Sequence, residues 1–139
     1  MADKEHNKRI AIEYFGAFIR GDKGWWAGNV APEFKRHDPG LPYEVVGPPG
    51  LQHHHDVILG GVPDLNLPIH IVMADDDKVL VCLRFRGIHK GEFFGHKPTG
   101  NAIDVEVFDL FRLADGKLVE HWAMVDSLNL LKQLGATSI

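Results

Sequence analysis

An acidic side chain and an imidazole interrupt two runs of alternating apolar residues late in the chain. Asp109 shares its parity with Ile103, Val105, Val107, Phe111 and Leu113, and His121 shares its parity with Val119, Ala123 and Val125. Because successive strand side chains point to opposite faces, both polar groups would lie among apolar neighbours, where a charge is costly unless it is paired. The pattern indicates a ligand pocket or a proton-transfer site. A polar core network without chemistry is the alternative.

A tight turn brings these two residues onto one hairpin. Ala114-Asp115-Gly116-Lys117 contains an Asp-Gly pair, which is typical of a two-residue hairpin loop. Asp126 then stands where an N-cap would begin a closing helix that runs to Leu134. We therefore expect Asp109 as the general base or acid and His121 as its partner or proton shuttle.

Other polar and aromatic residues are candidates for the wall or rim of such a pocket. His37 ends a short predicted strand before the Asp38-Pro39-Gly40 turn, which suggests a rim position. His89 and Phe94 lie in the glycine-rich connector of residues 87–100, which could lean over the mouth. Phe111 and Trp122 are weaker wall candidates, Trp122 because its parity opposes that of His121.

Three consecutive histidines, His53, His54 and His55, resemble a metal site only at first sight. They fall in a predicted helix of residues 51–59, where consecutive side chains point about 100 degrees apart and do not converge on one ion. We expect a solvated helix face or an oligomer contact here, and no metal. The acidic turn of residues 75–77 is likewise expected to be solvated.

The remaining elements place the helices early and the strands late. Spacing predicts an amphipathic helix from Lys4 to Arg20, a short helix capped by Asp22 and stopped by Pro32, and a loop from Leu41 to Gly50. Two further strands are predicted at residues 67–74 and 79–89. This order predicts an α+β fold with one curved antiparallel sheet wrapped around the N-terminal helices as a cone-shaped half-barrel.

Composition limits the classes of function. A chain of 139 residues is the size of one domain, which we assign to residues 1–139. The net charge of −4 gives no broad basic surface, so nucleic-acid binding is not expected. Cys82 is the only cysteine, so an intramolecular disulfide is excluded. No apolar run reaches membrane-spanning length, so we expect no membrane association and a cytoplasmic location.

Several motifs together resemble the SnoaL-like polyketide cyclases of the nuclear-transport-factor-2-like superfamily. These are HDP after the first strand, VPDL after the third helix, GIHKGEFFGHKPTG, FRLADGKLVEHW and a closing QLG. The resemblance spans residues 4–135. It implies an α+β cone, usually dimeric, with a hydrophobic pocket and no metal or organic cofactor. Arg84, Arg86, Phe108 and Leu110 would lie on the outer sheet face that could bury against a second copy.

The same resemblance implies where the acid/base group would stand. Alignment on Asp115-Gly116-Lys117 places the cyclases' catalytic aspartate at Ala123 and their assisting histidine at Asp109, while the histidine of EHW is kept as His121. Either the function is rebuilt around Asp109 with His121, or the chain performs a related but different reaction.

Two main hypotheses follow for the function. The first is a cofactor-free cyclase, isomerase or hydrolase acting on a small apolar carbonyl compound. The second is a binding protein of the same fold, in which Asp109 and His121 orient a hydrophobic ligand without transforming it. A purely structural dimer is a third alternative, and it predicts no open cavity between sheet and helices.

Overall fold

A computed structural model describes residues 3–136 of the chain, so residues 1–2 and 137–139 lie outside the description. Within this range there are four helices and six strands. In chain order these are α1 (Lys4–Arg20), α2 (Lys23–Asn29), β1 (Val30–His37), β2 (Val45–Val46), α3 (Gly47–Gly61), β3 (Ile69–Asp75), β4 (Lys78–Ile88), β5 (Ala102–Ala114), β6 (Lys117–Val125) and α4 (Ser127–Gln133).

The first two helices begin and end at capping residues that the sequence supplies. The Asp3 side chain accepts a hydrogen bond from the backbone of His6, and Gly21 ends α1 with a φ of 62°. Asp22 caps α2 by accepting from the backbone of Trp25. The prediction that Pro32 stops this helix was wrong, because α2 ends at Asn29 and Pro32 already lies in β1.

The third helix begins earlier than its sequence suggests. Residues 41–50 were expected to be a loop, but the chain forms β2 at Val45–Val46 and enters α3 at Gly47. Pro48 and Pro49 occupy the first turn, where a missing N–H costs nothing because those donors have no partner within the helix. Gly47 has a φ of 62°, and a Cβ there would lie 2.6 Å from the Pro32 carbonyl oxygen, so only glycine fits.

The six strands form one curved, unclosed sheet with the order β2-β1-β6-β5-β4-β3. The α+β fold class is confirmed. All neighbouring strands are antiparallel except β1 and β6, which run parallel and pair Arg36 with His121. The sheet is therefore mixed, whereas the hairpin pattern predicted an antiparallel one. The parallel pair was not predicted because pairing between strands that are far apart in the sequence leaves no local signal.

The hairpin of β5 and β6 forms as the alternation predicts, apart from one bulge. Asp115 and Gly116 take φ values of 52° and 76°, as a two-residue hairpin turn requires. A register shift follows Arg112, so that Leu118 is fully buried and Val119 is not. The expected inward position of Val119 was therefore wrong, since a bulge adds one residue and reverses the parity beyond it.

The helices cover one face of the sheet, called here the inner face, and the opposite face is the outer face. One apolar cluster joins α1 and α2 to the inner face, with Trp26, Phe34 and Phe111 among its largest members. A second cluster, including Phe18, Ile58 and Phe93, lies toward α4. No helix within residues 3–136 is long and apolar enough to cross a membrane.

Candidate functional site

A cavity of about 370 Å³ lies between the inner face and the helices. Its walls are mostly aliphatic and aromatic. Phe15 and Phe18 contribute from α1, Leu83 and Phe85 from β4, and Leu130 and Leu131 from α4. The polar residues on its wall include Tyr14, Arg36, Asp38, His54 and Asp109. An apolar cavity with a few convergent polar groups is the usual form of a small-molecule site.

Asp109 places a carboxylate on this wall. Only 4% of its side chain is accessible, and its Oδ1 lies 3.1 Å from His121 Nε2. This contact does not meet the geometry of a hydrogen bond, and Oδ1 is enclosed without a hydrogen-bond partner among the described residues. Since Oδ1 faces His121, Oδ2 is the oxygen that a molecule in the cavity would meet.

His121 supports Asp109 from below the cavity wall. Its ring is fully buried and stacks on Phe111, with centroids 4.2 Å apart and planes 19° apart. The edge of Tyr14 covers it at 5.4 Å. Desolvation lowers the pKa of His121, although the neighbouring Asp109 carboxylate acts in the opposite direction. A neutral imidazole in contact with a carboxylate positions that group more than it competes for protons.

Arg36 and Asp38 form the second charged feature of the wall. Both Nε and Nη2 of Arg36 donate to Asp38 Oδ2, at 3.3 and 3.0 Å. The Asp38 Oδ1 atom accepts from the backbone N–H of Gly40 at 3.0 Å. Desolvation by itself would lower the pKa of Arg36, but the adjacent Tyr14, Asp109 and Asp38 raise it overall. The guanidinium therefore stays charged although its side chain is only 11% accessible.

Tyr14 adds a phenol close to Arg36 and Asp109. Its hydroxyl is buried and has no hydrogen-bond partner within residues 3–136. Burial raises its pKa to about 12, with Arg36 opposing the shift and Asp109 adding to it. Tyr14 is therefore a neutral donor in the middle of the charged residues.

His54 occupies the α3 side of the cavity. Its Nδ1 is hydrogen-bonded to the Tyr43 hydroxyl at 2.8 Å. Burial, followed by the Arg36 charge, lowers the pKa of His54 to about 2. The expectation that the three histidines form a solvated face or an oligomer contact was wrong for His54, which is 3% exposed. His53 is exposed, and His55 donates from Nδ1 to the carbonyl oxygen of Phe18.

Residues 15–134 match the family model described as SnoaL-like polyketide cyclase. The chain belongs to that family. A search of the curated proteins gave no match.

Solved structures agree with this SnoaL-like assignment. TsrD from Streptomyces laurentii is 25% identical, with a TM-score of 0.84 over 98% of this chain and 99% of that one. IdmH, a candidate polyketide cyclase from Streptomyces antibioticus, is 26% identical, with a TM-score of 0.78 over 93% and 98%. A candidate SnoaL-like polyketide cyclase from Jannaschia sp. CCS1 has a TM-score of 0.86 at 24% identity over 98% and 95%, and shows the fold.

Some of the residues expected from the sequence line the wall of the SnoaL-like cavity, and others do not. Asp109 and Phe94 lie on its wall. Phe94 has a φ of 48° and stacks over Tyr43 with centroids 6.5 Å apart. His121 touches Asp109 but lies behind the wall. Ala123 is buried directly opposite Asp109 in the strand register, and it too is absent from the wall.

Four other candidates lie elsewhere in the SnoaL-like chain. His37 is on the outer face, where its Nε2 lies 2.7 Å from Glu120 and its ring stacks on Trp122. Phe111 is in the core, stacked on the His121 ring, and is absent from the cavity wall. His89 is fully buried beside the cavity, and its Nδ1 is 2.9 Å from the Thr99 hydroxyl.

Four polar residues of the cavity wall were not predicted from the sequence, although signals for two of them were available. They are Arg36, Asp38, Tyr14 and His54. Phe34 is fully buried in β1, and Arg36 has the same parity, which directs it inward and His37 outward. Leu51, His54 and Ile58 follow helical spacing, so His54 shares the buried face of α3. Within residues 3–136, no three His, Cys, Asp or Glu side chains are grouped as metal ligands. The absence of a cofactor stays a prediction.

Proposed function

We propose that this SnoaL-like chain is an enzyme of the cyclase type that performs acid/base chemistry without a cofactor on a small apolar carbonyl compound. The observation that carries this proposal is Asp109, a nearly buried carboxylate on the wall of a largely apolar cavity. A carboxylate that is almost fully buried among apolar side chains has few hydrogen bonds to give up when it accepts a proton, and a neutral imidazole lies in contact with it.

The proposed step is proton transfer from carbon. Asp109 Oδ2 takes a proton from the carbon next to the ligand's carbonyl, the C–H electron pair becomes the enolate, and Asp109 becomes a carboxylic acid. In an aldol cyclisation the enolate carbon then bonds to a second carbonyl carbon of the same molecule. Asp109 returns its proton to the resulting alkoxide. Isomerisation would use the same group and return the proton to another carbon.

The strand register supports a carboxylate at this position. The family's usual aspartate falls on Ala123, and Asp109 pairs directly with Ala123 across β5 and β6. The Cβ atoms of directly opposed residues lie about 4.5–5.5 Å apart on the same face. Exchanging the acidic residue between these two positions therefore keeps a carboxylate in one layer of the inner face, and the small Ala123 side chain leaves it room.

Proton exchange tests this proposal without knowledge of the natural substrate. A simple diketone, 1-phenyl-1,3-butanedione, in D₂O reports proton removal as loss of its α-proton NMR signal. We expect the wild type to accelerate exchange and Asp109→Asn, which keeps the shape, to lower the rate by about 100-fold or more. Glu33→Gln, an exposed carboxylate on β1, is the matched control and should exchange at the wild-type rate.

A second variant tests the register argument. Asp109→His combined with Ala123→Asp restores the arrangement that the family resemblance implies, and we expect it to recover part of the exchange lost in Asp109→Asn. An Asp109→Asn enzyme that exchanges as fast as the wild type would remove Asp109 from the chemistry.

Ligand binding without catalysis is the second candidate function. Ala123 in place of the family's aspartate favours it, since a carrier needs no acid/base group there. A carbonyl compound that binds and is recovered with no α-deuterium after incubation in D₂O would support this alternative. The fold alone does not decide between these two functions. AclR from Streptomyces galilaeus, described as a candidate hydroxylase, is 27% identical, with a TM-score of 0.81 over 98% of this chain and all of that one.

We also propose that the chain forms a homodimer through the outer face. Two rows of apolar side chains cross it, and Phe108 is 47% exposed and Met124 65% exposed. Arg84 and Arg86 flank these rows and are already paired with Asp104 on the same face. An apolar patch flanked by charges that are already paired can pack against a second copy of itself without leaving a buried charge unpaired, as a twofold contact requires. The cytoplasmic location and the single domain stay predictions.

A further inference from the structure

One edge of the Arg36 guanidinium is fixed by hydrogen bonds to Asp38, and the Nη1 edge is free. Its Nε and Nη2 are committed to Asp38, whose second oxygen is committed to the Gly40 backbone. Its Nη1 donates to no acceptor with hydrogen-bond geometry within residues 3–136 and is not among the enclosed atoms. A guanidinium that a carboxylate fixes on one side has little freedom left to lose when a ligand binds its other side.

The strand register fixes this free edge relative to Asp109. Arg36 on β1 pairs with His121 on β6, and Asp109 on β5 touches the same His121 ring at 3.1 Å. Arg36 and Asp109 therefore flank His121 on three adjacent strands of the inner face. Both lie on the cavity wall, whereas His121 lies beneath it. A carbonyl group in the cavity can meet a cation at its oxygen and a base at the neighbouring carbon.

We propose that Arg36 binds the carbonyl oxygen of the ligand through Nη1 and so presents the adjacent carbon to Asp109. The inference rests on the proposed acid/base function of Asp109. As the proton moves to Asp109, the carbonyl oxygen gains the negative charge of the enolate, and the guanidinium beside it stabilises that charge. Arg36 contacts the reacting group and is in this sense a catalytic residue.

The charged residues on the cavity wall also restrict the ligand. Arg36 is offset by two carboxylates, Asp38 and Asp109, so a ligand that carries its own carboxylate is repelled. Burial keeps Tyr14 neutral beside them. The site therefore selects an uncharged ketone or ester with an enolisable carbon, whose apolar part lies against the phenylalanines and leucines of the cavity.

A coloured phenol tests the oxygen site independently of turnover. 4-Nitrophenol resembles an enol, and its phenolate resembles the enolate and absorbs at a different wavelength. Asp109→Asn imitates the protonated base, so this variant should bind 4-nitrophenolate more tightly than neutral 4-nitrophenol. The apparent pKa of the bound phenol would then fall, and absorbance titration measures the shift.

Removal of both members of the ion pair isolates Arg36. In the Asp109→Asn background, Arg36→Gln with Asp38→Asn deletes the two charges together and leaves neither unpaired. We expect 4-nitrophenolate affinity to fall roughly 10- to 100-fold, with little change for the neutral phenol. The matched control, Arg9→Gln with Glu13→Gln in the same background, removes an ion pair on the surface of α1 and should leave the affinity unchanged.

The outcomes separate this inference from the proposed function. Equal affinity of Asp109→Asn for phenol and phenolate, or unchanged phenolate affinity after the Arg36 and Asp38 changes, overturns it and leaves the exchange test of Asp109 standing. Loss of the Asp109 function with an intact phenolate preference leaves Arg36 as an oxygen-binding residue. Arg36→Lys in the Asp109→Asn background keeps the positive charge and controls for misfolding. This variant should retain the preference for phenolate. Loss of that preference in a folded protein would contradict the role of the charge.

Discussion

His54 is a buried side chain that links the stability of the protein to pH. The unfolded chain binds a proton on this residue near pH 6.5, whereas the folded chain binds it only near pH 2. Between these values the unfolded state carries the extra proton, so the free energy of unfolding falls as the pH falls. The slope is about 1.4 kcal/mol per pH unit for each such proton. His121, whose pKa burial also lowers, acts in the same direction.

Replacement of His54 by Gln should flatten this dependence. Urea unfolding at constant protein concentration, followed from about pH 7.5 to about pH 5, should show a loss that is smaller by about 1–2 kcal/mol than in the wild type. His53→Gln changes the exposed neighbour on the same helix and should keep the wild-type slope. Identical slopes for wild type and His54→Gln would mean that His54 is protonated equally in both states.

At the level of single residues, alternation in the sequence was enough to place Asp109 and His121 on the inner face. It was not enough to show that His121 and Phe111 are both absent from the cavity wall, since the wall depends on how the helices tilt over a curved sheet. Arg36 was missed because the short first strand was interpreted from its final residue, His37. The parity of the buried Phe34 would have directed attention to Arg36 instead.

The element that closes over the site depends on a glycine contact between α3 and the connector of residues 87–100. The backbone N–H groups of Lys90 and Gly91 both donate to the Gly61 carbonyl at 3.0 Å. A Cβ on Gly91 would lie 2.0 Å from the Gly60 carbonyl oxygen. This close approach holds the connector, with Phe93 and Phe94, against the end of α3.

Alanine substitution at two adjacent points separates the contact from the helix. Gly91→Ala should lower the free energy of unfolding by about 1–3 kcal/mol, since the backbone must move to admit the methyl group. Gly60→Ala should be neutral or stabilising by up to about 1 kcal/mol, because nothing lies within 4 Å of its Cβ and alanine favours a helix. Urea denaturation of both variants checks this. Equal effects at the two positions would show that the connector tolerates displacement.

Most elements were predictable because their signals are local. Caps at Asp3, Asp22 and Asp126, the Asp115-Gly116 turn and the alternation along β4 and β5 all act within a few residues. The start of α3 was not predicted because a Pro-Pro pair is compatible with both a loop and a first helical turn. The parity of the inward-facing residues of β6 reverses at the bulge near Val119. This reversal was not predicted, because a bulge depends on pairing with the neighbouring strand.

At the scale of the whole molecule, the outer face makes a direct prediction about assembly. Met124→Lys places a charge in the proposed apolar contact, twice in a symmetric dimer, and should weaken association by roughly a hundredfold. Sedimentation of the wild type and the variant over a concentration series measures this. Ile12→Lys, on the solvent side of α1, is the control and should leave the association state unchanged. A wild type that sediments as a monomer throughout, or a Met124→Lys dimer of normal strength, would refute the proposed interface.

The parallel pair of β1 and β6 has a consequence for how the protein is made. Arg36 and His121 are neighbours in space, but they lie far apart along the sequence, so the ribosome adds His121 long after Arg36. A nascent chain that stalls at the Asp115-Gly116 turn already contains Arg36 and Asp109, yet it lacks the strand that separates and aligns them. The ligand therefore has no complete site to recognise on an unfinished chain, and it can assist folding only after β6 has emerged.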